Sequence, residues 1–255
     1  MKVAAYQAPL HAVSSPDVLD LIREQVEECE ANGVEILCCP EGVLGGLADS
    51  VSQPHDIAID VESGQLQALL SPLASDRVTT ILGFTEIDRG RLYNSAAVFH
   101  RGTVAGVYRK LHPAIHRSVY TAGEETPVFT VGGLTFGIVI CRDSNFPEPA
   151  RAMAARGAAA LFIPTNNGLP PAKGGPKLVD EARRADIARA TENGVFVIRA
   201  DVAGRAGDLI SYGSSGIVDS DGNVLRSARQ LVPDLVVAEI ETAPGLFRSL
   251  DTPPR

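Results

Sequence analysis

Short apolar, β-branched runs alternate with helical periodicity along this chain, and that alternation confines it to an α/β fold. Val3 to Gln7 reads as a strand. Ser15-Pro16 then reads as a helix start, with Leu19, Ile22, Val26 and Cys29 recurring every three or four residues until Asn32-Gly33. Val34 to Cys39 is the next strand, Ala48 to Asp60 a loop, and Gly64 to Leu73 a helix. Three strands follow around Thr79 to Glu86, Ser95 to His100 and Val104 to Arg109. Their Asp88-Arg89-Gly90 and Arg101-Gly102 turns predict antiparallel hairpins. Lys110 to Pro127 is long and irregular, as active-site loops are. Beyond Thr135 to Ile140 comes an Ala-rich helix through Met153, then a strand at Ala160 to Ile163. A helix from about Leu178 to Glu192 precedes strands near Val195 to Ala200, Ser211 to Asp219 and Leu235 to Ile240. Hairpins inside an α/β alternation point to two stacked sheets between helices, although periodicity alone also allows an ordinary doubly wound sheet.

Three of these strands end in reactive side chains. Cys141 closes the run Ile138-Val139-Ile140 and precedes Phe146-Pro147-Glu148, where proline suits the first turn of a helix. A thiol at a strand-to-helix junction is physically analogous to a nucleophile elbow, and free backbone N–H groups with the helix dipole are expected to favour its thiolate. Glu41 follows the strand Ile36-Leu37-Cys38-Cys39 at Pro40. Lys110 follows Val107-Tyr108-Arg109, in a chain whose other lysines are only Lys2, Lys173 and Lys177. The carboxyl ends of strands are where open α/β sheets place their chemistry. Singly, each residue is better explained as a solvated charge or a small core thiol; the three together are harder to dismiss.

Pro40-Glu41, Tyr108-Arg109-Lys110 and Cys141-Arg142-Asp143 with Phe146-Pro147-Glu148, spaced 69 and 31 residues apart at Glu41, Lys110 and Cys141, resemble the nitrilase superfamily of carbon–nitrogen hydrolases. Arg189-Ala190-Thr191-Glu192-Asn193 and Ser211-Tyr212-Gly213-Ser214-Ser215-Gly216 resemble its later motifs, so the likeness covers nearly the whole chain. The resemblance implies a four-layer α-β-β-α sandwich, usually paired into a homodimer or larger homo-oligomer through helices beside the site. It also implies Glu41, Lys110 and Cys141 as catalytic residues. Cys141 would attack a small linear amide, Glu41 would carry the proton, and Lys110 with the Arg142 N–H would hold the oxyanion. A thioester would form and water would release it, with no metal and no organic cofactor. Nitrile hydrolysis or acyl transfer on the same site is the alternative, as is a non-catalytic binding protein on the same fold.

One departure bears on substrate. The family usually carries a second glutamate between the lysine and the cysteine, and here His116 falls near that place when Val119-Tyr120-Thr121-Ala122-Gly123-Glu124 is aligned with the family's turn. Glu124 and Glu125 lie later and read as solvated charges. His116, Arg142, Asn166 and Asn167 are the candidate substrate-binding residues, while Asp143 orients the turn behind Cys141 and His112 is structural.

A chain of 255 residues is expected to form one domain, residues 1–255, with a substantial core. A net charge of −8 argues against a nucleic-acid surface. No apolar run approaches the roughly 20 residues of a membrane span, and the opening residues enter a strand without a signal-like stretch. Adjacent Cys38 and Cys39 face opposite sides of a strand, and no Cys/His spacing forms a zinc site, so reduced thiols in a cytoplasm are expected.

Overall fold

The computed structural model describes residues 1–11, 17–113 and 118–241. The chain opens with strand β1 (Lys2–Pro9) and helix α1 (Val18–Ala31), whose Ile22, Val26 and Cys29 are buried. Ser15 and Pro16, expected to begin that helix, lie outside the described residues. Gly33, at φ +69°, ends it in the left-handed conformation. The strands β2 (Ile36–Cys38), β3 (Ile59–Asp60) and β4 (Thr79–Asp88) follow, with helix α2 (Gln65–Leu70) between the last two. Ala48 to Asp60, expected to be loop, contains two 3-10 turns and β3.

Next come β5 (Arg91–His100) and β6 (Thr103–Arg109), antiparallel as expected. Both central residues of each connecting turn have positive φ, Arg89 with Gly90 and Arg101 with Gly102. Such turns match the strands' own twist.

The second half supplies β7 (Val128–Val131), β8 (Leu134–Ile138), helix α3 (Pro147–Ala155), β9 (Ala160–Pro164), helix α4 (Pro176–Asn193) and β10 (Phe196–Ala200). After them run β11 (Val202–Ala206), β12 (Leu209–Ser211), β13 (Gly216–Val218), β14 (Val224–Ser227) and β15 (Asp234–Glu239). The expected single strand Ser211 to Asp219 is in fact two. Leu209–Ser211 pairs with β11, whereas Gly216–Val218 pairs with β10, so the chain changes sheets over Tyr212–Ser215. Gly213 makes that crossing possible. Its φ is +80°, and a Cβ there would lie 2.3 Å from Oε1 of Gln7.

The strands form two sheets. The first runs β12-β11-β1-β2-β4-β5-β6, with β15 also on β1 and β3 also on β4; the second runs β14-β13-β10-β9-β8-β7. One face of the first sheet, through Ala4, Leu37, Cys39, Leu82 and Phe99, packs on Ile22 and Val26 of α1 and Leu66 and Leu70 of α2. Its other face, through Val3, Ala5, Ile36, Cys38 and Ile81, joins Phe136, Ile138, Phe162 and Val197 of the second sheet. Met153 of α3 and Ala190 of α4 complete that core from beyond the second sheet. The layers are therefore helix, sheet, sheet, helix, the sandwich expected. Period-two alternation sends Cys38 and Cys39 into different cores. Among the described residues, no helix is long and apolar enough to cross a membrane.

Candidate active site

Glu41 lies just beyond β2, Lys110 just beyond β6, Cys141 three residues after β8, and Asn166 two residues after β9. β2 runs parallel to β4 in the first sheet and β8 parallel to β9 in the second, and the hydrogen bond from the Asn166 N–H to Glu41 joins the carboxyl ends of β2 and β9. There Lys110 Nζ donates to Glu41 Oε1 at 2.6 Å, and both side chains are almost wholly buried. The Asn94 amide donates to the same Oε1 at 2.8 Å, and the Asn166 backbone N–H reaches Oε2 at 3.1 Å. Burial pulls Lys110 towards neutrality, but the charges of Glu41, Cys141 and Asp143 and the Glu41 hydrogen bond prevail, holding its pKa above the ordinary lysine value.

Cys141 begins a 3-10 turn, Cys141–Asn145, with φ +45°, a left-handed conformation that costs a residue with a Cβ of order 1–3 kcal/mol. The turn is pinned from several sides. Asp143, fully buried, accepts hydrogen bonds from the Ile140 N–H at 3.1 Å, the Tyr108 hydroxyl at 2.7 Å and the His112 N–H at 2.8 Å. Ser144 Oγ donates to the Cys141 carbonyl at 2.7 Å and accepts from Arg199 at 2.9 Å. Arg199, itself buried, is paired with buried Asp186 of α4 and also donates to Thr165 Oγ1 at 2.7 Å. The His112 ring stacks on Phe146 at 3.8 Å and lies 3.1 Å from Asp143 Oδ1.

The expected helix-dipole bias towards the thiolate is outweighed, which leaves on sulfur the proton that Glu41 is expected to take. Burial first, then the Glu41 charge, push the Cys141 thiol up to about 12, against the opposing pull of Lys110 and Arg199. The 3-10 turn explains the failure: α3 starts only at Pro147, so its dipole and free N–H groups do not reach Cys141. A thiol in this setting rests neutral and must hand its proton to a neighbour as it attacks.

Among the other expected residues, Asn166 is brought to Glu41, its side chain reaching the Glu41 carbonyl at 3.4 Å. Asn167 turns instead to buried Asp201, through its N–H at 3.0 Å and its amide at 2.9 Å, and to Ser214 Oγ at 3.3 Å. Arg142 is exposed, its guanidinium 5.8 Å from the Phe146 ring centre. His116 lies outside the described residues. Glu124 and Glu125 are exposed, as expected. Sequence reasoning missed Asn94, Arg199 and Asp186. A polar residue in the middle of an apolar strand was the only available signal for Asn94 and Arg199. Among the described residues, no group of three or more His, Cys, Asp or Glu side chains is arranged to hold a metal ion.

Two sheets back to back between helices, with a carboxylate, an ammonium and a strained thiol at one rim, define the nitrilase-type sandwich. Comparison with known proteins agrees. Residues 2–244 match the Carbon-nitrogen hydrolase family. An (R)-stereoselective amidase from a Pseudomonas species is 32% identical over 225 residues, spanning 87% of this chain and 79% of that one. A nitrilase from Pyrococcus abyssi is 30% identical over 220 residues, spanning 85% and 80%. The solved amidase of Nesterenkonia sp. AN1, in a form with acrylamide added at its active-site cysteine, aligns with a TM-score of 0.79 at 25% identity over 94% of this chain and 93% of that one. This chain belongs to the carbon-nitrogen hydrolase family and is an amidase-like enzyme of the nitrilase superfamily.

Proposed function

We propose that the protein hydrolyses a small linear amide through a thioester on Cys141. The observation that carries this reading is the buried Lys110–Glu41 ion pair at the rim where Cys141 begins its 3-10 turn. As Sγ bonds to the carbonyl carbon, Glu41 takes the thiol proton and passes it to the leaving nitrogen, which departs as ammonia or an amine. Lys110 and the backbone N–H of Arg142 stabilise the oxyanion. Water then attacks the thioester, Glu41 taking its proton and returning it to sulfur, and the carboxylic acid leaves. The amidases among the relatives support an amide as substrate; the nitrilase among them keeps a nitrile in the test panel. Asn166 and Arg142 border the site as substrate contacts, and His116 stands in the family's second-glutamate position. One catalytic domain and a homo-oligomeric assembly are part of the same reading.

The test is intact-protein mass after brief exposure to small amides, carbamoyl compounds and nitriles, with free ammonia read in parallel. An acyl adduct, and ammonia that falls to background in Cys141→Ala, are the expected results. Glu41→Gln should cost about 10²–10⁴-fold in turnover. Lys110→Met should cost about 10²–10³-fold, as loss of an oxyanion donor typically does. Ammonia release undiminished in Cys141→Ala would overturn the proposal.

A further inference from the structure

Glu41 Oε1 accepts two hydrogen bonds, from Lys110 Nζ at 2.6 Å and Asn94 Nδ2 at 2.8 Å. A carboxylate oxygen carries two in-plane lone pairs, so Oε1 has none left. Oε2 accepts only the Asn166 backbone N–H, at 3.1 Å, among the described residues. The two oxygens are therefore not equivalent, and only Oε2 keeps a lone pair for an incoming proton.

Asn94 lies in the middle of β5 with 4% exposure. Its amide is oriented by charge: the opposite rotamer would aim Oδ1 at the carboxylate, so Nδ2 must face Glu41. Its backbone carbonyl also accepts the Lys110 N–H at 2.8 Å, tying both partners of the ion pair to one residue. Asn94 Oδ1 is buried and has no partner among the described residues. An asparagine retained for folding would be satisfied at both ends. This one is satisfied only at the end that touches Glu41.

We propose that Asn94 is a positioning residue for Glu41: together with Lys110 it saturates Oε1 and leaves Oε2 as the oxygen that receives the Cys141 proton. The proposal rests on the reading of Glu41 as the base. In the attack, the S–H bond breaks as the sulfur–carbon bond forms, and the proton ends on Oε2 while the Asn94 and Lys110 hydrogen bonds to Oε1 persist. Losing Asn94 frees the carboxyl to rotate and offers the proton two alternative sites, one of them facing Lys110.

Alkylation of Cys141 by iodoacetamide, followed by intact mass, tests this without a known substrate, because Cys29, Cys38 and Cys39 are buried. Asn94→Leu, which keeps the branched skeleton without the amide, should slow alkylation about 10–100-fold, as a misplaced catalytic group does. The same substitution in a Glu41→Gln background should change the rate by less than about twofold, because coupled groups are non-additive. Lys110 and Tyr120 beside Glu41, and Arg199 and Asp201 acting on Cys141, are unaltered in these variants. Asn94→Asp, near-isosteric, sets a second carboxylate against Glu41 and should move the acid limb of the alkylation–pH profile upward. That shift decides the matter if Asn94→Leu does not fold. An Asn94→Leu effect that is absent, or equal in both backgrounds, would overturn the positioning role, as would an unmoved acid limb. Glu41→Gln alkylating at the wild-type rate would instead overturn Glu41 as the base, a distinct failure.

Discussion

Lys110 and Glu41 form an ion pair with almost no contact with solvent, a costly arrangement to keep for stability alone. Two buried charges sacrifice hydration that their attraction barely restores, whereas removing one partner strands the other. Lys110→Met should therefore destabilise the protein by about 3–5 kcal/mol in urea unfolding. Adding Glu41→Gln to it should recover most of that loss, because no charge is then stranded. A double variant as unstable as Lys110→Met would mean that the pair is held for the fold. At this scale the sequence was informative about identity and uninformative about state. Glu41, Lys110 and Cys141 stood out as reactive types at strand ends. The protonation of Cys141 depends on Glu41 and on Asp201, both distant in sequence, and on burial that no local pattern records.

Strand β4 runs directly beneath the Pro40–Gly42 turn that carries Glu41. A Cβ on Gly83 would lie 2.5 Å from the Pro40 carbonyl oxygen and 2.7 Å from the Glu41 Cα, both rigid backbone atoms. Gly83→Ala should thus push the turn away, costing about 1–3 kcal/mol of stability, as overpacking does, and lowering turnover with it. Gly33→Ala makes a useful contrast. Unlike Gly83, it has a left-handed backbone, at φ +69°, and a Cβ there meets nothing within 4 Å, so the change should reduce stability alone. Thermal melts and turnover measured side by side separate the two. Elements with strong local signals were legible: β4, β5 and β6 because Arg89-Gly90 and Arg101-Gly102 announce their turns, and α3 because of Pro147. β7 was hidden by its place at the end of a long irregular stretch. β11 and β12 were hidden because Gly204 and Gly207 break their apolar runs and the partner of β11 is β1, nearly two hundred residues earlier.

Across the whole molecule, Cys29, Cys38 and Cys39 are buried and Cys141 is half-buried, and desolvation raises each thiol above its ordinary pKa, Cys29 and Cys141 to about 12 and Cys38 and Cys39 further. In the unfolded chain a thiol titrates near 8.5, so there it ionises first and holds fewer protons than the native state. Stability from this source is complete below pH about 8.5 and declines as pH climbs towards 12, by up to about 1.4 kcal/mol per pH unit for each thiol. Urea midpoints at pH 7, 8.5 and 10 should fall across that series, and Cys29→Val should make the fall shallower. A flat series would show the thiols to be ionised equally in both states. The four-layer architecture was legible only through the resemblance of separated motifs, since periodicity describes single elements and not which sheet each joins. The pairing of β1 with β15, from Lys2 with Glu239 to Gln7 with Asp234, has a consequence for synthesis. A ribosome adding about 5–20 residues per second delivers the partner of the first strand some 10–50 s late. Until then the centre of the first sheet is an open edge in a crowded cell, where protection by a chaperone would matter more than the stability of the finished protein.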